Sequence, residues 1–176
     1  MRALAVTLFT LLLSVSTLAD SRAEIERKSA AALDRLRASG DGVDELLGQA
    51  AGVLVFPDVV KMGFGVGGQY GEGVLLVKDK PAAYYATAGA SFGLQLGAQF
   101  KAEVILFMND KVLADFRNSQ GWEAGVHGSV ALVTVGSGGS IDTRTVKDPV
   151  IGFIFSNKGL MYNLTFEGSK ITRIAR

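Results

Sequence analysis

The chain has no cysteine and only three prolines among its 176 residues. Without cysteine there is no thiol nucleophile, no thiolate zinc site and no disulfide framework. The low proline count argues against a disordered Pro- and Gly-rich composition, although glycine is abundant at 22 residues. The chain also has no large excess of positive or negative charge, because its 18 Lys and Arg are nearly balanced by 17 Asp and Glu. This balance argues against non-specific nucleic-acid binding. At this length, one globular domain folds without a disulfide or a metal.

Residues 1–19 have the features of a secretory signal peptide. Arg2 gives a positive start, a mostly apolar stretch follows, and Thr17 and Ala19 place small residues at the −3 and −1 positions of a cleavage site. The apolar stretch is shorter than the roughly 20 residues that a membrane span needs. We therefore expect export and cleavage between Ala19 and Asp20. An N-terminal core or anchor helix is the alternative.

The next segment, 20–51, is predicted to form two helices. Ser21 and Glu24 fit a capping box at the start of the first helix. Lys28 and Arg35 flank its apolar stripe, where their stems can lie on apolar surface while their charges reach water or lipid headgroups. The second helix is short and is predicted over Val43–Ala51. The apolar stripe of the first helix consists of Ile25, Ala32, Leu33 and Leu36.

A β-rich body is predicted over 52–176. A buried strand ends at Pro57, and from Lys61 onward the apolar period moves towards 2, which is typical of strands. Asn109 is placed to cap a short helix that interrupts these strands. The fold class is therefore α+β, with N-terminal helices packed on a strongly coiled, glycine-rich antiparallel sheet of sandwich-like or barrel-like form. Further strands are predicted at 90–100, 104–108, 122–135, 150–155, 160–166 and 171–174.

A glycine motif in the body matches the dinucleotide-binding pattern only in its letters. Gly63, Gly65 and Gly68 satisfy G-x-G-x-x-G, but such a site also needs a helix after the loop and an acidic residue about 20 positions on. A strand follows instead, and positions 83–88 contain no acid. The run is better explained as a strongly bent, glycine-rich hairpin, and we expect no nucleotide and no other cofactor.

Catalytic chemistry finds no support in the residue pattern. His127 is the single histidine and lies in an alternating stretch, where a surface or sheet role is the simpler interpretation. The acid pair Asp44 and Glu45 falls on a predicted helix surface, and there is no nucleophile elbow or zinc-protease helix motif. We expect a protein that is not an enzyme and has no metal site.

Three segments of the chain resemble a known family. Residues 52–73, with the sequence GVLVFPDVVKMGFGVGGQYGEG, are similar to the opening signature of the SYLF domain family. Residues 88–99 are similar to its second signature, and 157–160 with 166–168 resemble its closing strands. The likeness covers about 30–174. It implies a lipid-binding domain; eukaryotic members bind phosphoinositides, yeast relatives also associate with actin, and bacterial members are typically exported, stand-alone domains.

The resemblance, together with the predicted signal peptide, implies a non-enzymatic lipid-binding domain at a membrane face of the bacterial envelope, periplasmic or peripherally associated. An exported protein would meet neither actin nor much phosphoinositide, so anionic phospholipid or a membrane surface is the expected partner, with no nucleic acid and no nucleotide. Two alternatives stay open: an integral outer-membrane β-barrel, and a structural or protein-partner module of the envelope. The candidate lipid contacts are Lys28, Arg35, Lys61, Lys158, Lys170 and Arg173.

Overall fold

The structure is a computed structural model that describes residues 20–123, 126–127, 130–134, 147–156 and 169–176. The predicted cleavage site at Ala19, the turn and strand at 157–168, and Lys158 lie outside these residues. Helices and strands follow one another along the chain as α1 (Arg22–Arg37), α2 (Val43–Gln49), β1 (Gly52–Val77), β2 (Lys80–Phe107), α3 (Asp110–Asn118), β3 (Trp122–Glu123), β4 (Ala131–Thr134), β5 (Val150–Ser156) and β6 (Ser169–Ile174).

The three helices begin where the sequence places them. In α1, the Ser21 hydroxyl accepts a hydrogen bond from the Glu24 backbone N–H at 3.2 Å, and the predicted apolar stripe is buried. In α3, the Asn109 side chain accepts from the Val112 N–H at 3.0 Å. Both predicted capping side chains, Ser21 and Asn109, are therefore confirmed, whereas the Glu24 carboxylate of the predicted capping box accepts hydrogen bonds from Arg27. Within the described part of the chain, no helix has the length and apolar character needed to cross a bilayer.

A long antiparallel hairpin, β1 paired with β2, is the centre of the fold. The two strands meet at a two-residue turn of Lys78 and Asp79, whose φ angles of 52° and 59° are those that such hairpin turns require. The glycine run at 63–68 lies inside β1 of this hairpin and not at its turn, so the predicted glycine-rich hairpin is present. Nor does Pro57 end a strand, because it sits where the register shifts between Phe56 and Val59, and such an irregularity tolerates a residue without an N–H.

Strand β1 folds back on itself between its two ends. A Cβ atom built on Gly73 would collide with the carbonyl oxygen of Val55, and one built on Gly71 would lie 2.9 Å from the carbonyl oxygen of Asp58. Val55 and Gly73 are 18 positions apart in one strand, a distance of roughly 60 Å if the strand were straight. The middle of the hairpin, which carries the glycine run, must therefore curl strongly. The predicted coiled sheet is confirmed in this feature.

The remaining strands add to β2. β5 and β6 both pair with β2, and β3 pairs with β6, in antiparallel orientation. β4 pairs with β5 in parallel, so the sheet is mixed rather than purely antiparallel. The connection 135–149 between these two strands has the length that a parallel crossover needs. The α+β class is thus confirmed, with this one difference in strand direction.

Each face of the curled sheet has its own apolar core. Successive side chains of a strand point to opposite faces, so Val53 and Val55 join one core while Leu54 and Phe56 join the other. Helices α1 and α2 cover the face that carries Val53 and Val55, which we call the outer face. The inner face is closed by α3 and by an aromatic cluster of Tyr85, Phe107, Phe116 and Trp122.

Candidate functional site

An open groove lies beside the N-terminal part of α1. Its volume is about 740 Å³, within the range typical of small-molecule sites. It is bounded on one side by the segment just before α1 and on the other by both halves of the curled strand β1, from Pro57 to Met62 and from Gly68 to Glu72. We refer to it as the groove. Its apolar lining is formed by Pro57, Val60, Met62, Tyr70 and Phe100.

Three of these apolar side chains are unusually exposed. Met62 is 61% exposed, Tyr70 50% and Phe100 40%, and they are three of the five large hydrophobic side chains that are exposed among the described residues. Their position explains the exposure. On β2, Ala102, Val104 and Leu106 point to the outer face and are buried under α1 and α2, whereas Phe100 is the next residue on that face. The apolar surface of the sheet therefore continues past the helices into the groove.

A network of charges braces the rim of the groove near α1. The Lys28 ammonium lies 2.8 Å from Asp20, 3.3 Å from Asp58 and 3.7 Å from Glu24, and so connects α1 to β1. The hydrogen bond with Asp20 is the largest cause of a raised pKa for Lys28. Arg27 in turn pairs with Glu24 at 2.6 Å and is the main reason that the pKa of Glu24 is lowered. The positive charge of Lys28 is thus already compensated by carboxylates of the protein itself.

A second ion pair, of Arg176 with Glu72, stabilises the wall formed by the second half of β1. Arg176 donates to both carboxylate oxygens of Glu72, with Nε 3.2 Å from Oε2. The Tyr70 hydroxyl donates to the same carboxylate at 2.7 Å, and burial is the largest cause of a raised pKa for this tyrosine, followed by Glu72. The Glu72 side chain is only 7% exposed. This pair ties residue 176 to the wall of the groove.

The predicted lipid contacts that the structure describes do not gather into one basic patch. Lys28 lines the groove, but its charge is paired. Arg35 is exposed on α1, with its guanidinium 5.9 Å from the centre of the Phe155 ring. Lys61 lies between Val60 and Met62, so the alternation of the strand points it away from the groove. Lys158 lies outside the described residues.

The last two predicted contacts, Lys170 and Arg173, both belong to strand β6. Both Lys170 and Arg173 are exposed, but they are three positions apart in one strand and so lie on opposite faces. Lys170 is in register with Ala88, which is in register with Tyr70, and therefore shares the outer face with the groove. Arg173 is in register with Tyr85 on the inner face. Lys170 and Arg173 thus lie on opposite sides of the sheet.

The described residues include no cluster of three or more His, Asp or Glu side chains that could hold a metal ion. His127 is exposed, and its Nδ1 accepts a hydrogen bond from the Glu123 N–H at 3.0 Å. This is the surface role that the sequence predicts for the histidine.

Sequence reasoning missed the apolar groove and the ion pair of Glu72 with Arg176. Phe100 appears in the sequence as one member of an apolar face, and nothing local shows that the helices stop short of it. Met62 and Tyr70 flank the glycine run. Two large apolar side chains beside so much glycine were the one sequence signal for an exposed apolar site. Glu72 and Arg176 are 104 positions apart, so no local pattern connects them.

The fold and the groove define a class of protein: an α+β domain in which N-terminal helices cover one face of a curled hairpin and leave an apolar groove open beside them. The family Ysc84, described as Las17-binding protein actin regulator, matches residues 88–175, which is half of the chain. The chain belongs to this family, and the resemblance to the SYLF domain is confirmed. No curated protein matches the chain.

Proposed function

We propose that this protein is a non-enzymatic lipid-binding domain, exported after cleavage between Ala19 and Asp20, that acts at a membrane face of the bacterial envelope. The observation that carries the proposal is the groove with its three exposed apolar side chains, Met62, Tyr70 and Phe100. Exposed apolar side chains in one concave patch mark sites for partners, ligands or membranes. Membership of a family associated with lipid binding favours a lipid among these.

Apolar contacts and charges both contribute to this proposed binding. Full burial of a side chain such as Met62 or Phe100 contributes about 1.5–3 kcal/mol. A basic residue near an anionic membrane contributes about 1 kcal/mol. Because the exposed cations Arg35, Lys170 and Arg173 are dispersed over the surface, they attract an anionic membrane additively rather than forming one headgroup site. We therefore expect binding that depends only partly on salt.

The partner in this proposal is a phospholipid membrane and not actin. The family description concerns an actin regulator that binds Las17. A protein carrying the predicted signal peptide would leave the compartment in which such partners occur. A membrane surface is available on both sides of the periplasm, and the groove offers the apolar contact that a membrane can use.

Vesicle flotation tests this proposal. Purified protein should float with vesicles that contain anionic phospholipid, and less of it should float at physiological salt than at low salt, because exposed charges are screened over about 8 Å at 0.15 M. Replacing Lys158, Lys170 and Arg173 together by Gln should weaken flotation by a few kcal/mol at most. Lys111→Gln is the matched control, because Lys111 is exposed and paired with Asp115 on α3. Failure to float with any vesicle, at any salt concentration, would contradict the proposal.

A further inference from the structure

We infer that the groove holds one acyl chain of a single phospholipid, with the headgroup left outside and not selected. This inference rests on the proposed function but goes beyond contact with a membrane surface, because it assigns a binding site that retains a lipid after the membrane is removed.

The lining fits a flexible hydrocarbon. Val60 is in register with Phe100, so the two side chains lie side by side on one face of the hairpin, and Met62 follows Val60 on the same face. Tyr70 lines the groove from the other half of β1. Each half of the strand thus contributes apolar side chains to the lining, which also includes Gln69 and the charged residues of the rim. A volume of about 740 Å³ accommodates one chain, whereas a flat patch would only adsorb to a bilayer.

The charges at the rim exclude the headgroup from the binding site. Lys28 has three carboxylates within 4 Å, and Glu72 is bound by Arg176. These cations are therefore engaged by the protein's own carboxylates. A phosphate at the rim would compete with those carboxylates and meet their negative charge. An uncharged occupant matches this internally paired rim, which leaves the acyl chain as the part of a phospholipid that the groove accepts.

The same ion pairs keep the groove preformed. The Lys28 network joins α1 to Asp58 of β1, and Arg176 holds Glu72 of the opposite wall. A site whose walls are already fixed loses less conformational entropy when a ligand enters. The groove should therefore stay open without its ligand, and an acyl chain should enter it without unfolding the rim.

Lipid retention tests the inference. The purified protein would be incubated with vesicles of equal phosphatidylethanolamine and phosphatidylglycerol, separated from them, and measured by non-denaturing mass spectrometry. We expect one phospholipid per protein, with both headgroups retained in proportion to the vesicle. The mass also distinguishes a phospholipid from a free fatty acid. Raising the salt should weaken flotation without reducing the retained lipid.

Two groove variants and two matched controls locate the site. Met62→Glu and Phe100→Glu should each lower the retained lipid by about tenfold or more, because a carboxylate would be placed in the apolar lining. Val126→Glu and Leu132→Glu are the controls, since Val126 is 71% exposed and Leu132 42%, and neither lines the groove. The controls should retain as much lipid as the wild type. Circular dichroism of all four variants checks that each is folded.

Several results would overturn the inference. Flotation without any retained lipid would reject the groove as an acyl site and leave the proposed function standing. Retention of one headgroup alone would reject the exclusion of the headgroup. Equal loss in groove variants and controls would show that the site is elsewhere. A lipid-free dimer that Met62→Glu dissociates would identify a second copy of the chain as the occupant. Failure of both flotation and retention would reject the proposed function together with the inference.

Discussion

Gly73 lies directly against the carbonyl oxygen of Val55, a residue of the same strand, with no room between them for a side chain. This contact exists because β1 curls through its glycine-rich middle and brings its second half onto its first. Gly71 likewise lies against Asp58 and Val59, with no room for a side chain. The two glycines therefore set how closely the halves of the hairpin approach, and they shape the wall of the groove on which Tyr70 and Glu72 lie.

The first prediction concerns this close approach. Gly73→Ala should destabilise the protein by about 1–3 kcal/mol or more, because the obstructing atoms belong to the backbone and cannot rotate away. Gly48→Ala is the control, since the Cβ at that position of α2 meets nothing within 4 Å. The control should raise stability by up to about 1 kcal/mol through helix propensity. Urea denaturation measures both, and equal midpoints would contradict the folded-back arrangement.

The second prediction concerns a buried ion pair on the inner side of the sheet. Lys101 Nζ lies 2.7 Å from Glu103 Oε1, and both side chains are almost fully buried. Removing one partner leaves a buried charge without its counter-ion, so Glu103→Leu should cost about 3–5 kcal/mol. The double variant Lys101→Met with Glu103→Leu should recover most of that loss, because no charge is left buried. A double variant as unstable as the single one would show that the two side chains do not act as a pair.

A pH dependence follows from the same pair. Burial raises the pKa of Glu103 above its ordinary value of 4.5, although Lys101 opposes the shift. The folded state therefore binds more protons than the unfolded state between pH 4.5 and the raised pKa, and stability falls as the pH rises through that interval. Relative to the double variant, the wild type should lose stability from pH 4.5 upward until the folded-state pKa is passed. A difference that stays constant over this interval would show that Glu103 is not shifted.

The third prediction concerns Arg176. Replacing it with Gln would leave the nearly buried carboxylate of Glu72 without its cation, so we expect a loss of about 2 kcal/mol. Lys170→Gln is the control, because Lys170 is an exposed cation of the preceding strand. Its effect should stay within about 0.5 kcal/mol. Thermal unfolding compares the two, and hydrogen exchange at 69–73 should accelerate only in the Arg176 variant.

The fourth prediction concerns Lys28 at alkaline pH. Its partners raise the pKa of Lys28 above 10.5, so the charged form is favoured in the folded state. The stabilisation is fully present below the unfolded pKa and is lost as the pH rises through the folded pKa. Lys28→Gln should cost about 1 kcal/mol at neutral pH, and its difference from the wild type should shrink above pH 10.5. If the stability difference between Lys28→Gln and the wild type is the same at neutral pH and above pH 10.5, Lys28 acts through packing alone.

The helices were predictable because their signals are local. Ser21 and Asn109 are capping residues next to apolar positions of period 3.6, and both caps are present. The strand boundaries were less predictable. Pro57 ordinarily ends a strand, but the register shift beside it lets β1 continue. The hairpin turn is formed by Lys78 and Asp79 rather than by glycine, and aspartate tolerates a positive φ.

The site was predictable only in part. The sequence grouped Lys170 with Arg173 because they are close along the chain, whereas the strand places them on opposite faces. Lys28 was chosen for its position beside the apolar stripe, but its partner Asp58 comes from another element. The groove forms because α1 and α2 cover the outer face only as far as Ala102, and the extent of that cover depends on packing rather than on any local pattern.

The central position of β2 has a consequence for the order of folding. Val77 and Lys80 are neighbours at the hairpin turn, whereas Gly52 and Phe107 at the other end of the same ladder are 55 positions apart. Pairing that starts at the turn closes the smallest loop first, so the ladder should grow from the turn towards its ends. β5 and β6 both need β2 as their template and lie far along the chain from it. Contacts of such long sequence separation slow folding, so this domain should fold on the millisecond-to-second scale of β-rich proteins, with its C-terminal strands docking last.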